Sequence, residues 1–251
     1  MQITRFKAAS IHFLISASIA AVVGTLMFLL WYKPPLFSAL GGQQVLLILL
    51  GVDVTLGPLI TLIIFNTRKS RKALSFDLML IGLIQVTALI YGMFIVSQAR
   101  PVFAVFSKDS FDLVTANSVR KEDLAKVPHA DFRSLPLSGP IYVYSEIPTN
   151  IKERNEVVTG IFLGKDLPQY SQYYMPYNEH SLAAASAAKP LSELKKLNPN
   201  DTNELDTAIR SSGRNEADLG YLPMRAKVKD LAVLIGKGDG KIIQLLKLKP
   251  W

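Results

Sequence analysis

Three long apolar stretches separated by short polar joints occupy the first hundred residues, and shorter apolar runs broken by turn residues follow them. The long stretches are Ile11 to Tyr32, Val45 to Phe65 and Leu78 to Val96. Before its closing Tyr the first holds only His12 as an ionisable group; the second holds only Asp53, and the third no charge. About 20 apolar residues cross ~30 Å of hydrocarbon, so each stretch is long enough to span a bilayer. Buried helices of a soluble protein can look similar, but three in succession are hard to cover with the rest of this chain. The pattern therefore predicts a membrane domain over residues 1–98, with spans at 11–32, 45–65 and 78–96.

The joints set the direction. Arg5 and Lys7 precede the first stretch, and Arg68, Lys69, Arg71 and Lys72 lie between the second and third, whereas the joint after Tyr32 carries only Lys33. Lys and Arg resist translocation, which keeps the two basic joints inside and sends everything after about Gln98 outside. Trp31 and Tyr32 then fall at the outer interface, where amphipathic rings are favoured. The first stretch continues well past its small residues at 16–21, so it reads as an uncleaved anchor rather than a signal peptide.

The second span stands apart because it carries Asp53 near its middle, followed by Gly57 and Pro58. A carboxyl there costs about 2.5–3.5 kcal/mol on an insertion scale, so it should face a partner or a cavity. Gly57 lies four residues on, hence on the same face, and admits close approach of another helix. Pro58 cannot donate to the carbonyl of Val54, which frees an acceptor beside Asp53. A protonated Asp53 would donate to that carbonyl, or to Gln85 or Thr87 of the third span. Three readings stay open: polar glue among the three helices, a docking point for a partner's transmembrane helix, and proton transport, for which one carboxyl on three helices is thin support.

Residues 99–251 suffice for one globular domain. Strands are predicted at Val102–Phe106, Phe111–Thr115, Ile141–Tyr144, Val157–Leu163, Leu231–Ile235 and Ile242–Leu246. The first and last pairs read as hairpins, the last around Gly236-Lys-Gly-Asp-Gly240. Helices are predicted at Val119–Lys126, Ser181–Ala188, Leu191–Leu197 and Asp201–Ser211. The expected fold is thus three transmembrane α-helices followed by an α+β domain with antiparallel strands.

Composition narrows the chemistry. Of 251 residues, 49% are hydrophobic and 19% charged, and there is no Cys, which excludes a disulfide scaffold, a thiol enzyme and a Cys-based metal site. The net charge of +8 splits into +5 on residues 1–97 and +3 on the rest, so the outer part lacks the basic stripe of a nucleic-acid binder until its last residues. Those residues, from Arg225 to Lys249, read as a solvated strand face or as a contact for anionic lipid or an acidic partner. The glycine-rich loop at 236–240 lacks the spacing of a phosphate loop, and His129 and His180 have no neighbours at ligand spacing. Neither catalysis, a metal nor a cofactor is expected. Tyr170, Tyr173, Tyr174 and Tyr177 lie within eight residues; they read either as cover for the domain's own core or as a partner-binding surface, since Tyr is enriched at interfaces.

Taken together, Trp31-Tyr-x-Pro-Pro35, Gly51-Val-Asp53-Val-x-Leu-Gly57-Pro58-Leu-x-Thr61-Leu-Ile-x-Phe65-Asn66, Phe76-Asp77-Leu, Gln98-Ala-Arg100-Pro101-Val and Pro250-Trp251 resemble the type IV pilin accessory proteins, the TfpX/TfpZ group. The resemblance covers the whole chain and is strongest over residues 28–106. It implies a bacterial inner-membrane protein with its C-terminal domain in the periplasm, which helps a cognate type IV major pilin assemble, with other inner-membrane assembly proteins and membrane lipid as further contacts. The Gly-Phe-Thr-Leu-x-Glu start of a prepilin is missing from the sequence, so the chain is not expected to be a fibre subunit. The family supplies no catalytic residues to carry over. The partner-binding residues inferred from the sequence are Asp53, Gly57, Pro58 and Gln85 in the membrane and the four tyrosines outside it. A membrane-anchored ligand sensor and a pilin-modifying enzyme are the competing readings.

Overall fold

The computed structural model describes residues 4–251, apart from the side chains of Val45 and Leu49. They form two compact units, one of residues 4–30 with 42–99 and the other of residues 31–41 with 100–251.

The first unit holds three helices long and apolar enough to cross a membrane: α1 (Arg5–Leu30), α2 (Gly42–Ile64) and α3 (Arg71–Ala99). Apolar side chains such as Leu14, Ile63, Leu83 and Ile90 point outward, as hydrocarbon-facing positions would. Helix α2 is not uniform. Residues Gly51–Leu56 take the wider π-helical form between two α-helical stretches.

The second unit is built on an eight-stranded sheet: β1 (Pro101–Ser107), β2 (Ser110–Thr115), β3 (Ile141–Tyr144), β4 (Met175–Pro176), β5 (Lys189–Pro190), β6 (Leu219–Arg225), β7 (Leu231–Gly236) and β8 (Ile242–Leu246). Its order is β4-β3-β1-β2-β6-β7-β8, with β5 pairing β6. The hairpins β1–β2 and β7–β8 form as the turn residues predict, Lys108 and Gly240 holding positive φ in their loops. The sheet is mixed, however, and not antiparallel as expected: β1 runs parallel to β3 and β2 parallel to β6. Each parallel pair is joined by a long connection, which carries the chain back to the starting end before the next strand begins.

Strands β1 and β7 are buried along their whole length because both faces of the sheet are covered. Leu231, Val233 and Ile235 face a cluster with Phe106, Phe111, Tyr177 and Met224. Ala232 and Leu234 face the opposite cluster, with Leu194, Leu205 and Tyr221. The helices Leu191–Leu197 and Thr202–Ser212 cover that side. The segment Trp31–Gly41 contributes Leu36 and Ala39 to the first cluster. The Ala39 carbonyl accepts from the amides of Val228 and Lys229 at 2.9 and 3.2 Å. Trp31 donates its indole N–H to the Leu137 carbonyl at 3.0 Å, and Tyr32 is buried. Both rings, expected at a bilayer interface, belong to the sheet unit.

Two sequence-based elements change type or extent. The run Val157–Leu163, expected as a strand, lies in the helix Ile151–Phe162 and the residue after it. Asn150 caps that helix by accepting from the amides of Lys152 and Glu153, and this local signal outweighs the β-branched pair Val157-Val158. The expected helix Val119–Lys126 shrinks to one turn, Lys121–Leu124.

Candidate functional site

Position 58 governs the local geometry of α2. In a π-helix each carbonyl accepts from the amide five residues on. For Asp53 that partner is residue 58, a proline without an N–H. The orphaned acceptor is therefore the backbone carbonyl of Asp53, one residue earlier than the α-helical register of the sequence reading placed it. Gln85 of α3 supplies the missing donor, its side-chain amide reaching the Asp53 carbonyl at 3.2 Å.

Gly57 makes room for this. A side chain at 57 would occupy the space taken by the amide of Gln85. The close approach that the sequence suggested for Gly57 is thus filled from within the chain.

The other end of Gln85 completes a latch across all three helices. Its Oε1 lies 2.6 Å from His12 Nε2, and His12 Nδ1 lies 2.6 Å from the hydroxyl of Thr61. An amide oxygen only accepts, so Nε2 carries the hydrogen, and in the neutral ring Nδ1 accepts from Thr61. His12 and Thr61 were not singled out as site residues. His12 stood out as a lone ionisable group in an apolar run and Thr61 as part of the Gly51–Asn66 motif, but nothing local said that they would meet.

Beside the latch a cleft of about 450 Å³ opens. Ile11, Ile15 and Ile19 of α1 line one side, Gly82, Val86 and Leu89 of α3 the other, and His12, Ser16, Asp53, Thr61 and Gln85 supply its polar groups. Asp53 Oδ1 has no hydrogen-bond partner among the described residues. Of the four intramembrane residues inferred from sequence, Asp53 and Gln85 line the cleft, whereas Gly57 and Pro58 are buried in the helix packing.

The tyrosine segment behaves differently. Tyr170, Tyr174 and Tyr177 are buried. Tyr177 donates to the Gly240 carbonyl at 2.6 Å and Tyr174 to the Pro168 carbonyl. Tyr170 lies against Gly160, with the Lys165 ammonium 3.6 Å from its ring centre. Only Tyr173 of the four keeps partial exposure. Three of the rings inferred to bind a partner therefore cover the unit's own core. Exposed apolar side chains lie elsewhere, among them Phe162 and Leu163 at the end of the helix Ile151–Phe162, which are 87% and 82% exposed. This signal was in the sequence but was read as a strand.

The family model described as fimbrial assembly protein FimB matches residues 2–41. The chain is 33% identical over 221 residues to the fimbrial assembly protein of serogroup I from Dichelobacter nodosus, covering 87% of this chain and 85% of the relative. The chain belongs to the fimbrial assembly protein family. A second fimbrial assembly protein from that organism, of serogroup E1, matches with the same identity and coverage. The protein of serogroups C1 and C2 is 37% identical over 118 residues, 47% of this chain and 90% of the relative. These matches do not single out the TfpX/TfpZ group. The stretch matched by the fimbrial assembly model contains α1 with His12 and the segment that brings Leu36 and Ala39 into the sheet unit. No solved structure matches the chain.

Proposed function

We propose that this fimbrial assembly protein is an inner-membrane accessory factor of the TfpX/TfpZ kind, which holds a cognate type IV major pilin ready for incorporation into the fibre and acts by binding rather than catalysis. In this reading α1, α2 and α3 cross the membrane with the N-terminus in the cytoplasm. The sheet unit stands in the periplasm, in keeping with the basic residues before α1 and between α2 and α3. The intramembrane residues Asp53 and Gln85 serve the pilin's membrane helix, and Gly57 and Pro58 keep them in place. The periplasmic contact reads the pilin head through Phe162 and Leu163, with Tyr173 as a further candidate. Exposed apolar side chains grouped in this way mark interaction surfaces more often than single ones do. Other inner-membrane assembly proteins and lipid are further contacts.

The observation that carries the reading is the two-part layout: a unit of three membrane-length apolar helices with a mostly apolar cleft that holds a few polar groups, and a separately packed sheet unit. A membrane-held subunit with an outer head has complementary parts. The test is deletion of the gene in its own host, with surface fimbriae counted by electron microscopy and pilin recovered by pull-down on the tagged chain. Loss of fimbriae together with pilin recovery is the expected result. Normal fimbriation in the deletion strain, or no pilin in the pull-down, defeats the reading.

A further inference from the structure

The latch among α1, α2 and α3 uses every polar group it contains except one. His12 is bonded through both ring nitrogens, Thr61 to His12, and Gln85 through both ends of its amide. Asp53 lends that network its backbone carbonyl, while its carboxyl oxygen Oδ1 is left over. An unsatisfied polar atom among apolar helices is costly, and in hydrocarbon no water is at hand to relieve it. Asp53 is also a lining residue of the cleft, and the terminal torsion of a carboxyl is soft, so it can turn toward a group entering there.

The size and shape of the cleft say what enters. On α1 its lining runs from Ala8 to Ala20, about 18 Å of helix axis at 1.5 Å per residue, or roughly three turns. A whole helix about 10 Å across fills roughly 420 Å³ in each turn. The cleft holds about 450 Å³. It therefore accommodates the inward-facing side chains of a helix laid along it, not the whole cylinder. Its walls are mostly apolar on α1 and α3 alike; among the described residues the Ser16 hydroxyl on α1 is the one polar lining group outside the latch and Asp53, and Gly82 keeps the α3 wall low. A lipid chain would match the walls but has no donor for Asp53.

We propose that the cleft between α1 and α3 receives one transmembrane helix of a second protein, an apolar helix that places a single hydrogen-bond donor side chain (hydroxyl, amide or amine) against the carboxyl of Asp53. This deepens the accessory-factor reading and rests on it, since the occupant is then the membrane helix of the subunit being assembled. Apolar side chains on the helix fill the walls, and the donor sets its register, so that a helix shifted by a turn leaves Asp53 unpaired again.

The test uses the full chain in native membranes, with a photo-crosslinking residue at Ile15 or Val86, which line the cleft, or at Ile63, which is 80% exposed and lies outside it. The expected result is an adduct to one and the same protein from Ile15 and Val86 and none from Ile63. Mass spectrometry should place the adduct in an apolar segment containing Ser, Thr, Asn, Gln or Lys. Asp53→Leu should lower the adduct yield roughly three- to tenfold, the span of a membrane hydrogen bond, while Asp53→Asn, which keeps a side-chain acceptor, stays near the parent. Adducts to lipid alone, equal adducts from Ile63, or an adduct segment without a donor would overturn the cleft assignment. Those outcomes in a strain whose fimbriae still depend on the chain would leave the accessory role standing. The positional pattern in the unsubstituted chain decides the matter even if Asp53→Leu folds poorly.

Discussion

Gln85 donates its side-chain amide to the backbone carbonyl of Asp53, 3.2 Å away on the neighbouring helix, through space that Gly57 leaves open. The bond replaces the one that Pro58 cannot make. It joins α2 to α3 at the level where α2 widens into its π-helical segment, and through His12 it reaches α1.

Gly57→Ala should therefore displace Gln85 and lower the stability of the helical unit by about 1 kcal/mol, near the upper range for hydrogen bonds measured between membrane helices. Gln85→Ala should cost a similar amount. Because both remove the same bond, the double variant should cost clearly less than the sum. Unfolding of the detergent-solubilised chain checks this, and full additivity would separate the two residues.

His12→Leu removes two hydrogen bonds at once and leaves Thr61 and the Gln85 carbonyl oxygen without their partner. A loss of about 1–2 kcal/mol is expected. Adding Thr61→Val to His12→Leu should cost little more, since the hydroxyl has already lost its partner. The same unfolding measurement reads both.

Asp112 gives the sheet unit a pH dependence. Burial is the largest cause that pushes its carboxyl up to about 6; Arg225 pulls it down, and Asp166, Asp230 and Asp109 add to the rise. The unfolded chain holds such a group near 3.9. The folded unit therefore binds the proton more tightly, and this contribution is complete below about pH 4 and lost as pH rises through about 6. Asp112→Asn should stabilise the unit at pH 7.5 by up to about 3 kcal/mol and leave it unchanged at pH 4. Thermal unfolding at the two pH values decides it.

The sheet unit includes a segment from between the first two spans. Leu36 is buried in the cluster with Phe106 and Met224, and Ala39 anchors the chain at Val228 and Lys229. Leu36→Ala should cost about 2–4 kcal/mol and raise protease sensitivity within residues 100–251. A fragment of residues 101–251 should be less stable than the same fragment with residues 31–41 linked to it. Equal melting temperatures for the two fragments would show that the segment is dispensable.

Strand β6 shows why part of the sheet was hidden in the sequence. No strand was expected at Leu219–Arg225, a run that contains Gly220 and Pro223. In the fold Gly220 lies where a side chain would meet Ala188 and the Lys189 carbonyl, so β5 passes close by. Pro223 falls between the stretch paired to β5 and the stretch paired to β2, where a missing N–H breaks no ladder bond on that edge. The opposite error came at Val157, where an apolar run looked extended although only Val157 of the helix Ile151–Phe162 is fully buried. For the tyrosines the sequence left two readings open, because composition identifies rings suited to contact without saying whether the contact is internal; burial of Tyr170, Tyr174 and Tyr177 favours the internal one.

What the sequence by itself determined is local and periodic. Three apolar stretches of bilayer length, the β1–β2 and β7–β8 hairpins, and the helices near 181–212 all follow from residues within a few positions of one another. The oddity of Asp53, Gly57, Pro58 and Gln85 was visible for the same reason: polar groups and a helix breaker stand out in an apolar run. Only the tertiary structure decided what these residues meet. The π register moved the free carbonyl from Val54 to Asp53, and His12 joined from 73 residues before Gln85. Leu36 and Ala39, from the joint between the first two apolar stretches, entered the sheet's core. Each of these depends on which distant atoms share a space too small for water, and neighbouring residues along the chain carry no record of that.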